Sequence, residues 1–149
     1  MRQVNQAGID LITSVEGFSP RIYNDAGHLA IGFGHDLLPG EHFEEPLSKA
    51  QAVDLLTKDL AWREARVEAI VQVPVTDNQF AALVSLFYNI GEGNFHSSTV
   101  LRKLNGGMFV EAADAFRLWK YSRNEKGEEV VNPDLVARRE REIALFNTP

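Results

Sequence analysis

Cysteine is absent from the 149 residues, so neither disulfides nor thiolate metal ligands hold the fold, and no thiol nucleophile is available. Long apolar runs are missing too. Nowhere do eighteen uncharged apolar residues follow one another, and Met1 to Ile9 contains no apolar stretch of signal-peptide length, so a soluble chain made in the cytoplasm is expected. Positive charge is scarce: 15 Lys and Arg stand against 21 Asp and Glu, a net charge of −6. Such a surface excludes binding by neutralisation of nucleic-acid phosphates, and it gives no steering toward an anionic polymer. Any polymeric partner must be held by a groove and local contacts. Internal repeats and low-complexity segments are also lacking. What remains is an ordinary globular composition, 44% hydrophobic and 24% charged, consistent with one core that buries roughly two thirds of the unfolded surface and with a monomer.

Apolar periodicity divides the chain. Val4, Leu11, Ile12 and Val15 recur at helical spacing and predict an amphipathic helix that carries Glu16 at its end, with Gly17 as the exit. Short apolar pieces then alternate with Pro20, Asn24, Asp25, Gly27, Gly32 and Gly34, the pattern of a small antiparallel sheet with tight turns. Ser48 with Gln51 is a capping-box pair, and the stripe Leu55, Leu56, Leu60, Val67, Ile70, Val71 predicts a helix of roughly 35 Å, long enough to link two lobes. Pro74 stops it. A second capping box, Thr76 with Gln79, opens a buried helix ending at Gly91, and further helices are expected over Ser98–Leu104 and Val110–Tyr121. Residues Ser122 to Asn132 read as loop or irregular hairpin, and Asn132-Pro133 caps a last helix through Phe146.

Cleavage of an acetal needs a proton for the leaving oxygen and a group that stabilises or attacks the sugar cation, which is why carboxyl pairs dominate such chemistry. Glu16 and Asp25 form one candidate pair, the first at a helix end and the second in a turn nine positions on. Spacing alone does not separate them from two solvated acids. Their context does. The run VEGFSPRIYNDAGHLAIGFGHDL contains Glu16-Gly17, Tyr23-Asn24-Asp25, Gly27 and Ile31-Gly32-Phe33-Gly34-His35. Further on come Gln79 to Leu83, Phe87-Tyr88-Asn89-Ile90-Gly91, Phe95, Ser97-Ser98-Thr99 and Leu101 to Asn105, then Leu135-Val136, Arg138-Arg139-Glu140 and Glu142. Taken in order, these pieces resemble the phage-type lysozymes of glycoside hydrolase family 24 over nearly the whole chain.

The resemblance implies an α+β, mostly helical, lysozyme-like fold forming one domain over residues 1–149. A small antiparallel sheet lobe (about 17–46) would be joined by the long helix (about 48–72) to a helical lobe (about 73–149 plus the N-terminal helix). It also implies an endolysin that hydrolyses the β-1,4 bond between N-acetylmuramic acid and N-acetylglucosamine in peptidoglycan. Glu16 would be the general acid, kept protonated by apolar neighbours such as Val15, Phe18 and Phe33, and Asp25 would position or activate water. No metal or other cofactor is needed. The expected partners are the glycan strands and a separate holin-type pore, through which the protein would leave the host cytoplasm to act on the wall in the periplasm. A threonine usually completes the family's triad, and here Ala30 stands in its place, without a hydroxyl to hold water. That departure reads as an impaired or engineered form, or as an enzyme that places water otherwise; His28, two residues earlier, is a polar group able to substitute. Rival readings are a lytic transglycosylase on the same bond and a non-catalytic wall-binding domain.

Other positions carry two readings each. Tyr88 and Asn89 match the family's sugar groove, yet Tyr88 also suits a helical core. Ser98 is a substrate contact or a helix cap. His35 touches substrate or ties sheet to helix through a carboxylate. Arg138 and Arg139 reach acidic wall peptides, or form a solvated face or structural ion pair. His42 and His96 read as surface residues, and Trp62 and Trp119 as core.

Overall fold

The computed structural model describes residues 1–149. Helix α1 (Gln6–Glu16) starts at Asn5, whose side chain accepts from the Gly8 amide and so satisfies one of the unpaired first-turn donors. It begins and ends slightly later than periodicity alone suggests, because the cap outweighs Val4. Before α1 the chain is anchored to the long helix: the Arg2 amide donates to Glu68 and the Val4 amide to the buried Glu64. Strands β1 (Ser19–Asp25), β2 (His28–Gly32) and β3 (His35–Asp36) form one antiparallel sheet in that order. Its register pairs Tyr23 with Ala30, Asp25 with His28, and Ala30 with Asp36.

Helix α2 (Lys49–Ile70) opens on the full reciprocal capping box of Ser48 and Gln51, and α3 (Asp77–Ile90) on that of Thr76 and Gln79. Every residue of α3 from Phe80 to Phe87 is buried, since α1, α2 and the last helix all pack on it. Two short helices, α4 (Glu92–His96) and α5 (Thr99–Asn105), follow. The single helix expected from Val110 to Tyr121 is instead α6 (Phe109–Ala115) and a 3-10 turn (Phe116–Leu118), after which Tyr121 enters a strand. Trp119 breaks the helical path with φ −94° and ψ 58°. The polar segment beyond it is a regular hairpin of β4 (Tyr121–Arg123) and β5 (Glu129–Val131). Helix α7 (Pro133–Phe146) closes the chain, capped by the Asn132 side chain.

The core joins Leu11 and Ile12 of α1, Leu56, Leu60 and Val67 of α2, the inner face of α3, and Phe116, Ile143 and Phe146. Phe33 reaches it from the sheet. No helix is long and apolar enough to cross a membrane.

Candidate active site

Glu16 is the last residue of α1, and Gly17, at φ 74°, turns the chain out of the helix immediately after it. The carboxyl group is therefore fixed by a helix end resting on the core. Its Oε1 accepts a hydrogen bond from Arg138 Nη1, brought from the far end of the chain by α7. The other oxygen, Oε2, borders Gly34. A Cβ added to Gly34 would stand 3.3 Å from Oε2 and 3.6 Å from the Tyr88 hydroxyl, and the residue has φ +84°, so a bare backbone is needed here. Tyr88 donates to the Phe33 carbonyl at 2.9 Å and closes that side. Burial, and then the negative charge of Glu16, raise its phenol pKa.

Arg138 does not stand alone. Its Nε donates to Glu142 Oε2 at 3.3 Å and its Nη2 to the Ser85 carbonyl at 3.1 Å, while the Ser85 hydroxyl donates to Glu142 at 2.6 Å. Arg139 donates to Glu142 Oε1 at 2.6 Å, to the Trp119 carbonyl at 2.8 Å, and to Asn89 Oδ1. Arg138, Arg139 and Glu142 are all buried, so of the readings for the two arginines the structural ion pair holds and the solvated face does not: they form an ion-pair network in the core, one end of which grips Glu16. Burial pulls the Arg139 guanidinium below its ordinary pKa against the pull of Glu142. A guanidinium lies against Glu16 as well, which the apolar neighbours expected for it did not include.

Asp25 arrives by a different route, a two-residue hairpin turn. Ala26 and Gly27 both have positive φ, 51° and 96°, as the turn that joins right-twisted strands requires, and Asn24 Oδ1 accepts from the Gly27 amide. Tyr23, two residues before, lies on the same strand face. Its phenol pKa is raised by burial and then by the charges of Asp25, Glu16 and Asp36. Ala30, opposite Tyr23 in the register, is completely buried. His28 is exposed, with Nε2 at 3.2 Å from Asp36 and 3.8 Å from Asp25.

Among the remaining candidates, Asn89 is exposed near the site, with its amide oxygen engaged by Arg139. Ser98 is buried; its hydroxyl donates to the Phe95 carbonyl and accepts from the Leu101 amide, so the expectation of a substrate contact gives way to a helix cap. His35 is a tie, bonded to Asp59 of α2 and to Glu41. His42 and His96 are exposed. Trp62, expected in the core, is 49% exposed; it meets Phe87 edge-on while the Arg63 guanidinium lies 4.6 Å over its other face. Trp119 packs partly buried against the core.

Sequence reasoning missed Arg138 as the partner of Glu16, together with Asp36, Glu41 and Asp59. For the arginines a signal existed: charges at 138, 139 and 142 fall three and four residues apart on the apolar stripe that ends in Ile143 and Phe146, where solvated residues do not belong. A concavity of about 780 Å³ lies elsewhere, among α5, α6 and α7. Its acids Glu111 and Asp114 are paired with Lys103 and Arg117, which leaves no acid free for proton transfer.

Residues 13–142 match the family described as phage lysozyme. The chain belongs to that family. It is 38% identical to the endolysin of Salmonella phage P22 across 98% of this chain and 99% of the relative. It is also 40% identical to the endolysin of Bacillus phage PZA, where it covers 98% of itself but 55% of that protein. Among solved structures, the muramidase domain of SpmX from Asticaccaulis excentricus superposes with a TM-score of 0.91 at 35% identity, each chain fully covered. The endolysin of Escherichia coli O157:H7 phage FAHEc1 gives 0.88 at 31%, covering 98% of this chain and 94% of the other. The α+β, mostly helical lysozyme fold expected from the resemblance is thus the fold of its relatives.

Proposed function

We propose that Glu16 donates the proton and Asp25 positions or activates the water in hydrolysis of the β-1,4 bond between N-acetylmuramic acid and N-acetylglucosamine. Membership of the phage lysozyme family makes the chain a peptidoglycan-lytic glycoside hydrolase, a muramidase of the endolysin type. The observation that supports the proton-donor assignment is the setting of Glu16, held through Oε1 by the buried Arg138 with Oε2 left beside Gly34. In this reading the pair flanks one site from two elements, a helix end and a hairpin turn. With Oε1 anchored on Arg138, Oε2 is the oxygen free to deliver a proton to the leaving sugar hydroxyl. As the bond from the anomeric carbon to the leaving oxygen breaks, water adds its OH to that carbon, and the proton balance closes through the two carboxyl groups.

The glycan runs between the sheet lobe and the helical lobe, which α2 joins, with Tyr88 and Asn89 facing the N-acetyl sugars. The chain works as a monomer without cofactor. It collects in the host cytoplasm and reaches the periplasmic wall through a separate holin-type pore.

Replacement Glu16→Gln tests the assignment by release of soluble muropeptides from purified peptidoglycan, read by mass spectrometry. A fall of about a hundredfold to ten-thousandfold with glycan binding retained is expected. Full turnover in that variant refutes the proton-donor role. Products one water lighter than the hydrolytic ones refute hydrolysis and indicate a transglycosylase.

A further inference from the structure

The sheet face that holds Asp25 also holds a histidine with acids on two sides. Strand alternation and the observed register put Tyr23, Asp25, His28, Ala30 and Asp36 on that one face. Ala30 occupies the position where the family's threonine holds water, and it offers only a methyl group, fully buried between Tyr23 and Asp36. The neighbouring His28 is more than half exposed, yet one of its ring nitrogens, Nε2, sits at 3.2 Å from Asp36 Oδ1 and 3.8 Å from Asp25 Oδ2.

We propose that His28, gripped by Asp36, is the positioning residue for Asp25 and does the work of the threonine that this chain lacks. The inference rests on the muramidase reading and on the role given there to Asp25. An exposed histidine on a hairpin with no task would have its ring free to rotate in water. Here the Asp36 carboxylate on β3 restrains it through the same nitrogen that faces Asp25. Nε2 lies against both carboxylates, so the ring sets the direction in which the Asp25 carboxylate points. The other ring nitrogen, Nδ1, has no protein partner, so it is open to a hydrogen bond with a water or sugar hydroxyl next to Asp25. A threonine hydroxyl would offer the same bond from two residues further along the same face. The groups facing His28 are Asp25 and Tyr23 on β1 and Asp36 on β3, with Glu16 across Tyr23.

The test uses the native chain, His28→Gln, Ala30→Thr and the double variant, each assayed for kcat and KM on soluble glycan oligomers and for thermal midpoint. We expect His28→Gln to melt with the native chain, because the side chain is exposed, and to lose about 10- to 100-fold in kcat, the scale of a misplaced reacting group, with KM little changed. Ala30→Thr should recover more activity in the His28→Gln background than it adds to the native chain. Asp36→Asn should lower kcat in the native chain with KM little changed and have no further effect in the His28→Gln background, a coupling that a purely structural contact would not show, and this readout decides the matter if the added bulk of Ala30→Thr at a buried position prevents folding. An unchanged kcat in His28→Gln, an equal loss of kcat from Asp36→Asn with and without His28, or additive effects of His28→Gln and Ala30→Thr would each overturn the inference. A native chain that is inert until Ala30→Thr awakens it also overturns it, while leaving the muramidase reading intact. Inertness of both forms defeats that reading and this inference with it.

Discussion

Replacing Asp59 by Asn should destabilise the chain in mildly acidic solution and lose its effect in alkaline solution. His35, on β3, is 9% exposed at its side chain and is bonded through Nδ1 to Asp59 at 2.8 Å and through Nε2 to Glu41 at 2.7 Å. Both nitrogens donate only in the imidazolium. Burial alone would lower the His35 pKa, but the hydrogen bonds and charges of Glu41 and Asp59 outweigh it and raise the value above 6.5. The folded chain therefore keeps a proton that the unfolded chain releases, and the associated stability is complete below pH 6.5 and lost as pH rises through the folded value. For Glu41, burial pushes upward, yet His35 and the Leu38 amide hold the carboxyl below 4.5; its contribution is present above that value and lost as pH falls through the folded one. Asp59 differs from Glu41, for burial there wins over His35 and raises its pKa, so the ionised carboxylate is tolerated only with the imidazolium beside it. A charge-assisted hydrogen bond is worth about 1.5–3 kcal/mol, and partial exposure of the two acids favours the lower half of that range. Asp59→Asn should thus cost about 2 kcal/mol near pH 5.5, or about 4–8 °C in thermal midpoint for a domain of this size. Near pH 9 the cost should be about zero, since the variant also removes a buried carboxylate that has lost its counter-charge. Urea denaturation of both chains at the two pH values reads this directly, and equal losses at both would refute the linkage.

The buried network gives a second test. Glu142→Leu leaves two guanidiniums in the core without their shared carboxylate, and a loss of about 3–5 kcal/mol is expected in denaturant unfolding; a loss below about 1 kcal/mol would mean that water or relaxation replaces the carboxylate. The hairpin gives a third. Ala26 is the one residue other than glycine with positive φ, a conformation that costs an ordinary L residue about 1–2 kcal/mol, so Ala26→Gly should raise stability by up to about 1 kcal/mol, measured the same way, after the entropy of the added glycine. No gain there would indicate that the turn is relaxed with alanine in place.

Local chemistry made much of the fold legible. Ser48 with Gln51, Thr76 with Gln79, and Asn132-Pro133 each act within one turn, and each appears in the structure as a cap. The same applies to Glu16, whose place at a helix end follows from periodicity and from Gly17. Interactions across long stretches of chain left weaker traces. Trp119 ends the helical path because its carbonyl serves Arg139 twenty residues away, and nothing in the pattern around it announces that bond. Trp62 reads as core by its apolar neighbours, yet Arg63 covers one face of its ring and leaves the rest to solvent. Arg138 is the instructive miss. Charge normally means solvent, and only the apolar stripe on which Arg138 lies contradicts that rule.

The two carboxyl groups are consequently held by unlike means. Glu16 depends on the packed core, on α7 and on a bond that spans 122 residues, so it moves only with the helices. Asp25 depends on a short exposed hairpin whose geometry is set by Asn24, Ala26 and Gly27 and whose register is fixed by β2. Local opening of that hairpin would require far less free energy than unfolding of the core. With the roles proposed for Glu16 and Asp25, such a site has a fixed proton donor and an adjustable water-handling side. A contact that restrains the hairpin, such as that of His28 with Asp36, therefore bears on turnover more directly than so exposed a contact would bear on stability.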